Sequence, residues 1–283
     1  MSFTLPALPR ERQLRLGLAL LLGVLLFALA GPVLAPHAQD ALVGQPYAPP
    51  SGAAWLGYDY LGRDVVSRLL HGGWTVLWMS LASALAALLV GAAIGILAGF
   101  AGRRTDQAIV WGTDVLLAFP DLILVLLVVS MLGREPGLIV LTVAIAFVPG
   151  VVRLARGVTM GVAKLEFVEA ARLLGYPAPR ILFREILPNI ATPLLVHFGI
   201  MLTWAISMLA GLSLLGYGVA PPAADRGLMI NENRAGLVLH PWAALAPVVL
   251  IGLFALGANL VAEGVSRLNA RIGTQTRGNG HAG

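Results

Sequence analysis

Charged residues and cysteine are scarce in this sequence. Asp, Glu, Lys and Arg together make up 12% of the 283 residues, whereas soluble domains carry roughly 25%. Cysteine is absent, which excludes disulfides, thiolate metal sites and a cysteine nucleophile. The one lysine, Lys164, lies between Ala163 and Leu165, so the chain has no Gly-Lys-Ser/Thr loop to cradle the phosphates of ATP.

Motifs for hydrolytic chemistry are absent as well. The five histidines form no HExxH pair, and Ser213 in "GLSLL" lacks the pattern of a nucleophile elbow. We therefore predict no catalytic residue, no metal site and no cofactor-binding site in this chain.

Apolar residues dominate instead. They make up 58% of the chain, and the mean hydropathy is +0.85. A helix needs about 20 apolar residues to cross a bilayer, and it satisfies its own backbone hydrogen bonds there. We predict an all-α integral membrane protein with six transmembrane helices. The apolar stretches are 16–35, 72–102, 107–132, 136–152, 186–224 and 235–262, and the third of them contains Asp114 and Asp121.

The basic residues indicate the orientation. Most of the 19 Lys and Arg residues fall on one side of the spans if the N-terminus is cytoplasmic, and both termini are then cytoplasmic. The net charge of +5 indicates contact with anionic lipid rather than nucleic acid, because aromatic and basic residues are not interleaved. The predicted parts are a cytoplasmic N-terminus at 1–15, a first transmembrane helix at 16–35, an extracytoplasmic segment at 36–73 with a short amphipathic helix, a five-helix membrane domain at 74–265 with a cytoplasmic loop at about 160–188, and a cytoplasmic tail at 266–283.

The first span has a second interpretation. Arg10, Arg12 and Arg15 precede it, and "ALAG" at 28–31 resembles the cleavage site of a secretory signal. The length of the apolar stretch favours a retained anchor, and the cleaved signal remains the alternative.

Two features predict local helix geometry. Asp64 is suited to cap the short amphipathic helix of "DVVSRLLHG". Further on, Gly91, Gly95 and Gly99 recur every four residues, which places them on one helix face where another backbone can approach closely. We expect this face to pack within the chain, and a contact with another subunit is the alternative.

The segment "EFVEAARLLGYPAPRILFREILPN" at 166–189 is charged although it lies between apolar stretches. Residues 162–174 favour a helix, which Gly175 and Pro177 should end through a left-handed glycine cap. A second short helix should begin near Pro179. Its apolar residues should lie uncovered on the cytoplasmic side and bind a partner, although a loop on the lipid surface is the alternative. These residues are Ile181, Leu182, Phe183, Ile186 and Leu187.

The same segment carries a family resemblance. "EAARLLG" at 169–175, followed by "ILPN" at 186–189, resembles the EAA signature of the permease subunits of bacterial ABC importers. Glu185 stands where the general pattern has Ile, a variant that resembles the peptide and nickel branch. The resemblance implies a type I permease fold in which this loop is the coupling helix that docks on a cytoplasmic ATPase. The docking residues it implies are Glu169, Ala170, Ala171, Gly175, Leu187 and Pro188.

Three other stretches extend the likeness over about residues 55–265. They are "WLGYDYLGRDVVSRLLHG" at 55–72, "DVLLAFPDLIL" at 114–124 and "LLGYGVAPPAADRGLMI" at 214–230. In the last of these, Arg226 stands where relatives commonly have Trp.

The resemblance implies a function in transport. The chain is expected to form half of the pathway of a peptide importer in the bacterial inner membrane. Expected partners are a second permease, two cytoplasmic ATPases that bind ATP and Mg, an extracytoplasmic solute-binding protein, and lipid. A nickel or other small-solute permease of the same branch is the alternative. A proton-coupled carrier that acts alone, with Asp121 as its titrating group, is the alternative of another class. A membrane enzyme has little support.

Two carboxylates within the third span need an explanation, because a mid-membrane acid costs about 2.5 to 3.5 kcal/mol on insertion scales. Asp114 and Asp121 are seven residues apart and hence on nearly the same helix face. They either line the substrate path, contact a second permease, or bond to neighbouring helices. We favour the structural role for Asp114. Asp121 follows Pro120, which should bend the span, and is the better pathway candidate.

Overall fold

The computed structural model of the protein describes residues 10–278, and for residues 10, 11, 262, 263 and 265–278 it describes the backbone alone. Residues 1–9 of the predicted N-terminus and 279–283 of the predicted tail therefore lie outside the described residues. Between residues 10 and 278 the chain is helical and contains no strand. Its helices are α1 (Arg10–Leu34), α2 (Val65–Phe100), α3 (Arg103–Leu117), α4 (Asp121–Leu132), α5 (Pro136–Val162), α6 (Glu166–Leu173), α7 (Ala178–Ile181), a π-helical turn (Leu182–Ile186), α8 (Leu187–Leu214), α9 (Arg226–Asn233), a 3₁₀ turn (Arg234–Gly236) and α10 (Trp242–Gly278).

The helices long and apolar enough to cross a membrane number five within the described range, or six if α3 and α4 are one broken span. The prediction of an all-α membrane protein is confirmed. The third span differs from the expected bent helix, because α3 and α4 are separate helices at 76° to each other. Pro120 is extended, with ψ 127°, and has no N–H to continue the ladder of α3. Asp121 is consequently the first residue of α4 rather than a mid-helix residue.

Helix α2 is longer than expected. Asp64 caps it as predicted, accepting hydrogen bonds from the N–H groups of Val66 at 3.2 Å and Ser67 at 3.0 Å. The prediction of a separate short helix is wrong, because the helix continues through Gly72 and Gly73 into the apolar stretch. Neither glycine has the positive φ with which a glycine ends a helix, and no proline follows within α2.

The chain divides into two compact units. Unit 1 comprises Met1–Leu77 and Pro221–Gly283, and unit 2 comprises Trp78–Ala220. In unit 1, α1 lies against α10, and the start of α2 packs with α9 and α10 through Val65, Leu69, Met229 and Ala243. Unit 2 contains the remainder of α2 together with α3 to α8.

A buried network of charges joins the loop before α2 to α9 in unit 1. Arg68 Nη1 donates to Asp59 at 2.9 Å and to Glu232 at 2.6 Å. Arg63 donates to the same two carboxylates at 2.7 and 3.1 Å. The side chains of all four residues are at most 7% exposed. Buried opposite charges with this many hydrogen bonds hold the loop in one conformation.

Arg226, the residue expected to differ from its relatives, is also buried in unit 1 but is poorly paired. It is 5% exposed, and its Nε and Nη2 atoms have no hydrogen-bond partner. The same two atoms of Arg68 also lack one, but Arg68 Nη1 donates to two carboxylates. Its guanidinium lies 5.6 Å from the centre of the Phe27 ring. Burial lowers the pKa of Arg226 to about 10, although the nearby charge of Asp225 acts in the opposite direction. Keeping a cation buried at this position therefore lowers the stability of the folded protein.

In unit 2, α2 and α5 pack at close range through the glycine face. A Cβ atom on Gly91 would lie 2.6 Å from Val151 Cβ, and one on Gly95 would lie 2.6 Å from the Val152 carbonyl oxygen. A Cβ atom on Gly99 would lie 2.9 Å from the Arg156 carbonyl oxygen. Two of these three neighbours are backbone atoms, which cannot move aside as a flexible side chain would.

Gly95→Ala is predicted to destabilise the protein. Overpacking costs about 1 to 3 kcal/mol, which exceeds the gain of up to about 1 kcal/mol in helix propensity. Gly157→Ala is the matched control, because that glycine lies in α5 with nothing near its Cβ position. Thermal unfolding in detergent should show a lower midpoint for Gly95→Ala and an equal or higher one for Gly157→Ala. Equal midpoints would contradict the packing.

Removing the charge of one buried arginine should stabilise the protein, whereas removing that of the other should destabilise it. Arg226→Met removes a buried cation with two unpartnered donors and should stabilise the protein by about 1 kcal/mol or more. Arg68→Met leaves Asp59 and Glu232 short of a partner and should cost about 3 kcal/mol. Urea unfolding of each variant measures whether its free energy of unfolding rises or falls. Destabilisation by Arg226→Met would mean that its contact with Phe27 outweighs the cost of its burial.

Candidate functional site

The charged segment forms two helices joined by a sharp corner. We call residues 166–186 the elbow; it comprises α6, the corner, α7 and the π-helical turn. Gly175 has φ +74°. Its N–H donates to the Arg172 carbonyl at 3.0 Å, and the Tyr176 N–H donates to the Ala171 carbonyl at 3.2 Å. These two bonds form a Schellman motif, so α6 ends as the sequence predicts.

One face of the elbow is buried in the core of unit 2. Val168 and Ile186 are fully buried, and Ala171 and Ile181 are 5% and 2% exposed. They pack in one cluster with residues of α2, α5 and α8, including Ile190. The elbow is therefore anchored to the long helices by apolar contacts.

This anchoring differs from the prediction that all apolar residues of the second helix lie uncovered. Ile181 and Ile186 are five residues apart, and the π-helical turn between them brings residues at that spacing to one face. Ile186 therefore points into the core, as Ile181 does. Phe183, in contrast, is 69% exposed.

The opposite face of the elbow is open to its surroundings. Leu173 and Leu174 are 83% and 70% exposed. Among the residues expected to dock, Ala171 differs, because it is buried in the core and lets α6 approach its own unit closely. The others are Glu169, Ala170, Gly175 and Pro188, which are exposed, and Leu187, which is half-buried.

Two arginines stack on aromatic rings at the elbow. The guanidinium of Arg180 lies 3.8 Å from the ring centre of Tyr176, just after the corner. That of Arg172 lies 4.7 Å from the ring of Phe100, the last residue of α2. Each contact contributes about 0.5 to 1 kcal/mol at an exposed site. The contact between Arg172 and Phe100 also connects α6 to α2, in addition to the buried apolar contacts.

Helices α3 and α5 are joined by two ion pairs. Arg153 Nη2 donates to Asp114 at 2.6 Å, and the Arg156 guanidinium donates to both carboxylate oxygens of Asp106. The pairing of Asp114 favours the structural role expected for it. The apolar stretch predicted for the span of α5 ends at residue 152, so both arginines lay beyond it and these pairs were not predicted. The signal that could have found them is the presence of acids in one span and arginines at the end of the next.

A cavity of about 550 Å³ opens within unit 2 between α3, α4, α5 and α8. Its walls are mainly apolar and include Phe147, Met201 and Trp204, with the polar His197 and Ser207. Asp121 is the one charged residue that lines it, and Asp114 and Pro120 do not line it. Within the described part of the chain, no three metal-ligating side chains converge. A mainly apolar lining with a few polar groups is typical of small-molecule sites.

Comparisons with known proteins identify the family and the fold. Residues 91–271 match the family described as "Binding-protein-dependent transport system inner membrane component". A solved structure titled "Inward facing conformations of the MetNI methionine ABC transporter" matches with a TM-score of 0.52 at 17% identity, covering 70% of this chain and 96% of that one, which shows a shared fold.

Three curated relatives are similar over most of their length. A glutathione transport system permease protein of Pectobacterium atrosepticum is 38% identical over 76% of this chain and 72% of its own. A putative peptide transport system permease protein of Brucella suis is 35% identical, with 91% and 87% covered. A di/tripeptide transport system permease protein of Pseudomonas aeruginosa is 36% identical, with 88% and 84% covered. The chain therefore belongs to the family of binding-protein-dependent transport system inner membrane components, as its EAA-like segment predicts.

Proposed function

We propose that this chain is a permease subunit of an ATP-driven importer that carries peptides across the bacterial inner membrane. The observation that carries the proposal is the two-faced elbow, with one face buried among the long helices of unit 2 and the other uncovered. Membership of the family supports the transport role. The peptide substrate is supported by the relatives, which are named as permeases for glutathione, peptides and di- and tripeptides.

The uncovered face of the elbow is the docking surface for a cytoplasmic ATPase. Exposed apolar side chains such as Leu173, Leu174 and Phe183 gain stability when a partner covers them. Glu169 offers a charge partner beside them, and Ala170 lets a partner approach closely. Nucleotide-driven closure of two ATPases would move the elbow, and the helices anchored to it would move as well.

Chemistry and motion then belong to different chains. ATP and Mg bind to the separate ATPases, because this sequence has no phosphate-binding loop. A second permease supplies the other half of the pathway, and an extracytoplasmic binding protein delivers the substrate. The cavity containing Asp121 forms this chain's part of the pathway. Both termini are cytoplasmic, as is the elbow.

Glu169→Lys is predicted to weaken binding of the ATPases. Reversal of a charge at a docking surface removes one charge-assisted contact and adds repulsion, so we expect affinity and ATP-driven uptake to fall by about tenfold or more. Co-purification and uptake by reconstituted vesicles provide the measurements. Glu135→Lys is the control, because Glu135 is exposed at the start of α5, outside the elbow. Undiminished ATPase binding by Glu169→Lys would contradict the docking role.

The orientation can be tested directly because the natural chain has no cysteine. Ala178→Cys places one thiol on the exposed surface of the elbow, and Val238→Cys places one at a residue that is 95% exposed near the start of α10. A membrane-impermeant maleimide should label residue 178 only from the cytoplasmic side and residue 238 only from the outside. The reverse pattern would contradict the proposal.

A proton-coupled carrier makes a different prediction. If the chain acted alone through Asp121, uptake would persist without ATP and would cease when the proton gradient is collapsed. Uptake that requires ATP and survives collapse of the gradient excludes that alternative.

A further inference from the structure

Asp121 differs from the other carboxylates of its helix pair. Asp106 and Asp114 in α3 are each paired with an arginine of α5. Asp121, at the start of α4, makes no hydrogen bond or ion pair with any described residue. It lines the cavity of unit 2, which no arginine or lysine lines and where His197 is the other titratable side chain. The cavity therefore presents one carboxylate that no arginine or lysine pairs with.

The position of Asp121 in its helix favours the ionised carboxylate. It is the first residue of α4, and the unpaired N–H groups at a helix N-terminus stabilise a negative charge. The side chain is exposed in this chain taken alone. When a molecule fills the cavity and covers the carboxylate, the carboxylate needs a cationic group from that molecule.

We propose that the cavity binds the free amino terminus of a peptide, whose ammonium group donates to the carboxylate of Asp121. This inference rests on the proposed function and specifies which end of the substrate this chain holds. Ligand pockets measure about 300 to 1,000 Å³, and the cavity volume of about 550 Å³ accommodates the first residues of a peptide. A peptide carboxylate does not fit here, because Asp121 repels it and no arginine or lysine lines the cavity.

The remaining walls explain how peptides of different sequence are accepted. Phe147, Trp204 and Met201 offer apolar surface without shape-specific polar groups. Methionine and aromatic side chains adapt to side chains of different shape. The charge of Asp121 thus fixes one end of the peptide by a group that every unmodified peptide carries, whatever its side chains are.

A metal ion fits these residues less well than an ammonium group. The cavity offers one carboxylate and the imidazole of His197, and the described residues contain no group of three ligands. Divalent nickel is normally held by more ligands than these two. An ammonium group, in contrast, requires one carboxylate and the open space that the cavity provides.

The test measures binding to the purified assembly of both permeases and the ATPases, without the solute-binding protein. Equilibrium dialysis compares a radiolabelled tripeptide with its N-acetylated form, which lacks the ammonium charge. The assembly should bind the free peptide about tenfold more tightly, as loss of one charge-assisted hydrogen bond requires. Asp121→Asn should abolish this preference, and Asp121→Glu should retain most of it. Asp114→Asn is the control, because it removes a carboxylate that does not line the cavity, and it should keep the full preference.

Several outcomes would overturn the proposal. They are equal binding of the two peptides by the parent assembly, an unchanged preference in Asp121→Asn, no measurable binding of either peptide, and Ni²⁺ binding that depends on Asp121 while peptide binding does not. Loss of the second permease from purified Asp121→Asn would also overturn it, by making Asp121 a contact between subunits. Failure of the proposed function has a separate signature, because the parent assembly would then show no ATP-driven peptide uptake.

Discussion

A polar segment can move apolar helices only if it is attached to them by contacts that neither water nor lipid replaces. In unit 2 that attachment consists of the buried side chains of Val168, Ala171, Ile181 and Ile186. The Schellman corner at Gly175 and the π-helical turn both serve it, because they turn the chain so that α6 and α7 face the same core. Helices α2 and α5, which receive the elbow, are themselves held at backbone distance by the glycine face. The exposed face of the elbow, which we propose as a docking surface, is thus connected through buried contacts to the long helices of unit 2.

Five carboxylates of this membrane protein fall into two groups, four that are paired with arginines and one, Asp121, that is not. Asp106 and Asp114 are neutralised by arginines of α5, and they hold α3 against α5. Asp59, Arg63, Arg68 and Glu232 neutralise one another in unit 1. Asp121 has no such partner among the described residues and lines the cavity of unit 2. Since an unpaired charge at membrane depth is costly, we propose that this carboxylate serves transport.

The sequence predicted those features that depend on local pattern. The presence of the membrane-spanning helices followed from the apolar stretches, and the end of α6 followed from Gly175 and Pro177. Asp64 was correctly expected to cap a helix, but that helix was expected to be short and separate from α2. It did not predict features that depend on contacts distant in the chain. The pairing of Asp114 with Arg153 and the burial of Ile186 both require knowledge of which helices are neighbours. The break at Pro120 was expected only as a bend, because a proline pattern does not fix the angle that packing imposes.

We expect the elbow and the long helices of unit 2 to move as one body. The absence of natural cysteine allows two spin labels to be attached, through Ala178→Cys on the elbow and Gly157→Cys on α5, both at exposed positions. Pulsed electron paramagnetic resonance would then measure the distance between the two spin labels in the full assembly, first without nucleotide and then with ATP trapped in the ATPases. We expect the same distance distribution in both states. A distribution that shifts when ATP binds would contradict it, because the elbow would then move independently of the helices that it is proposed to drive.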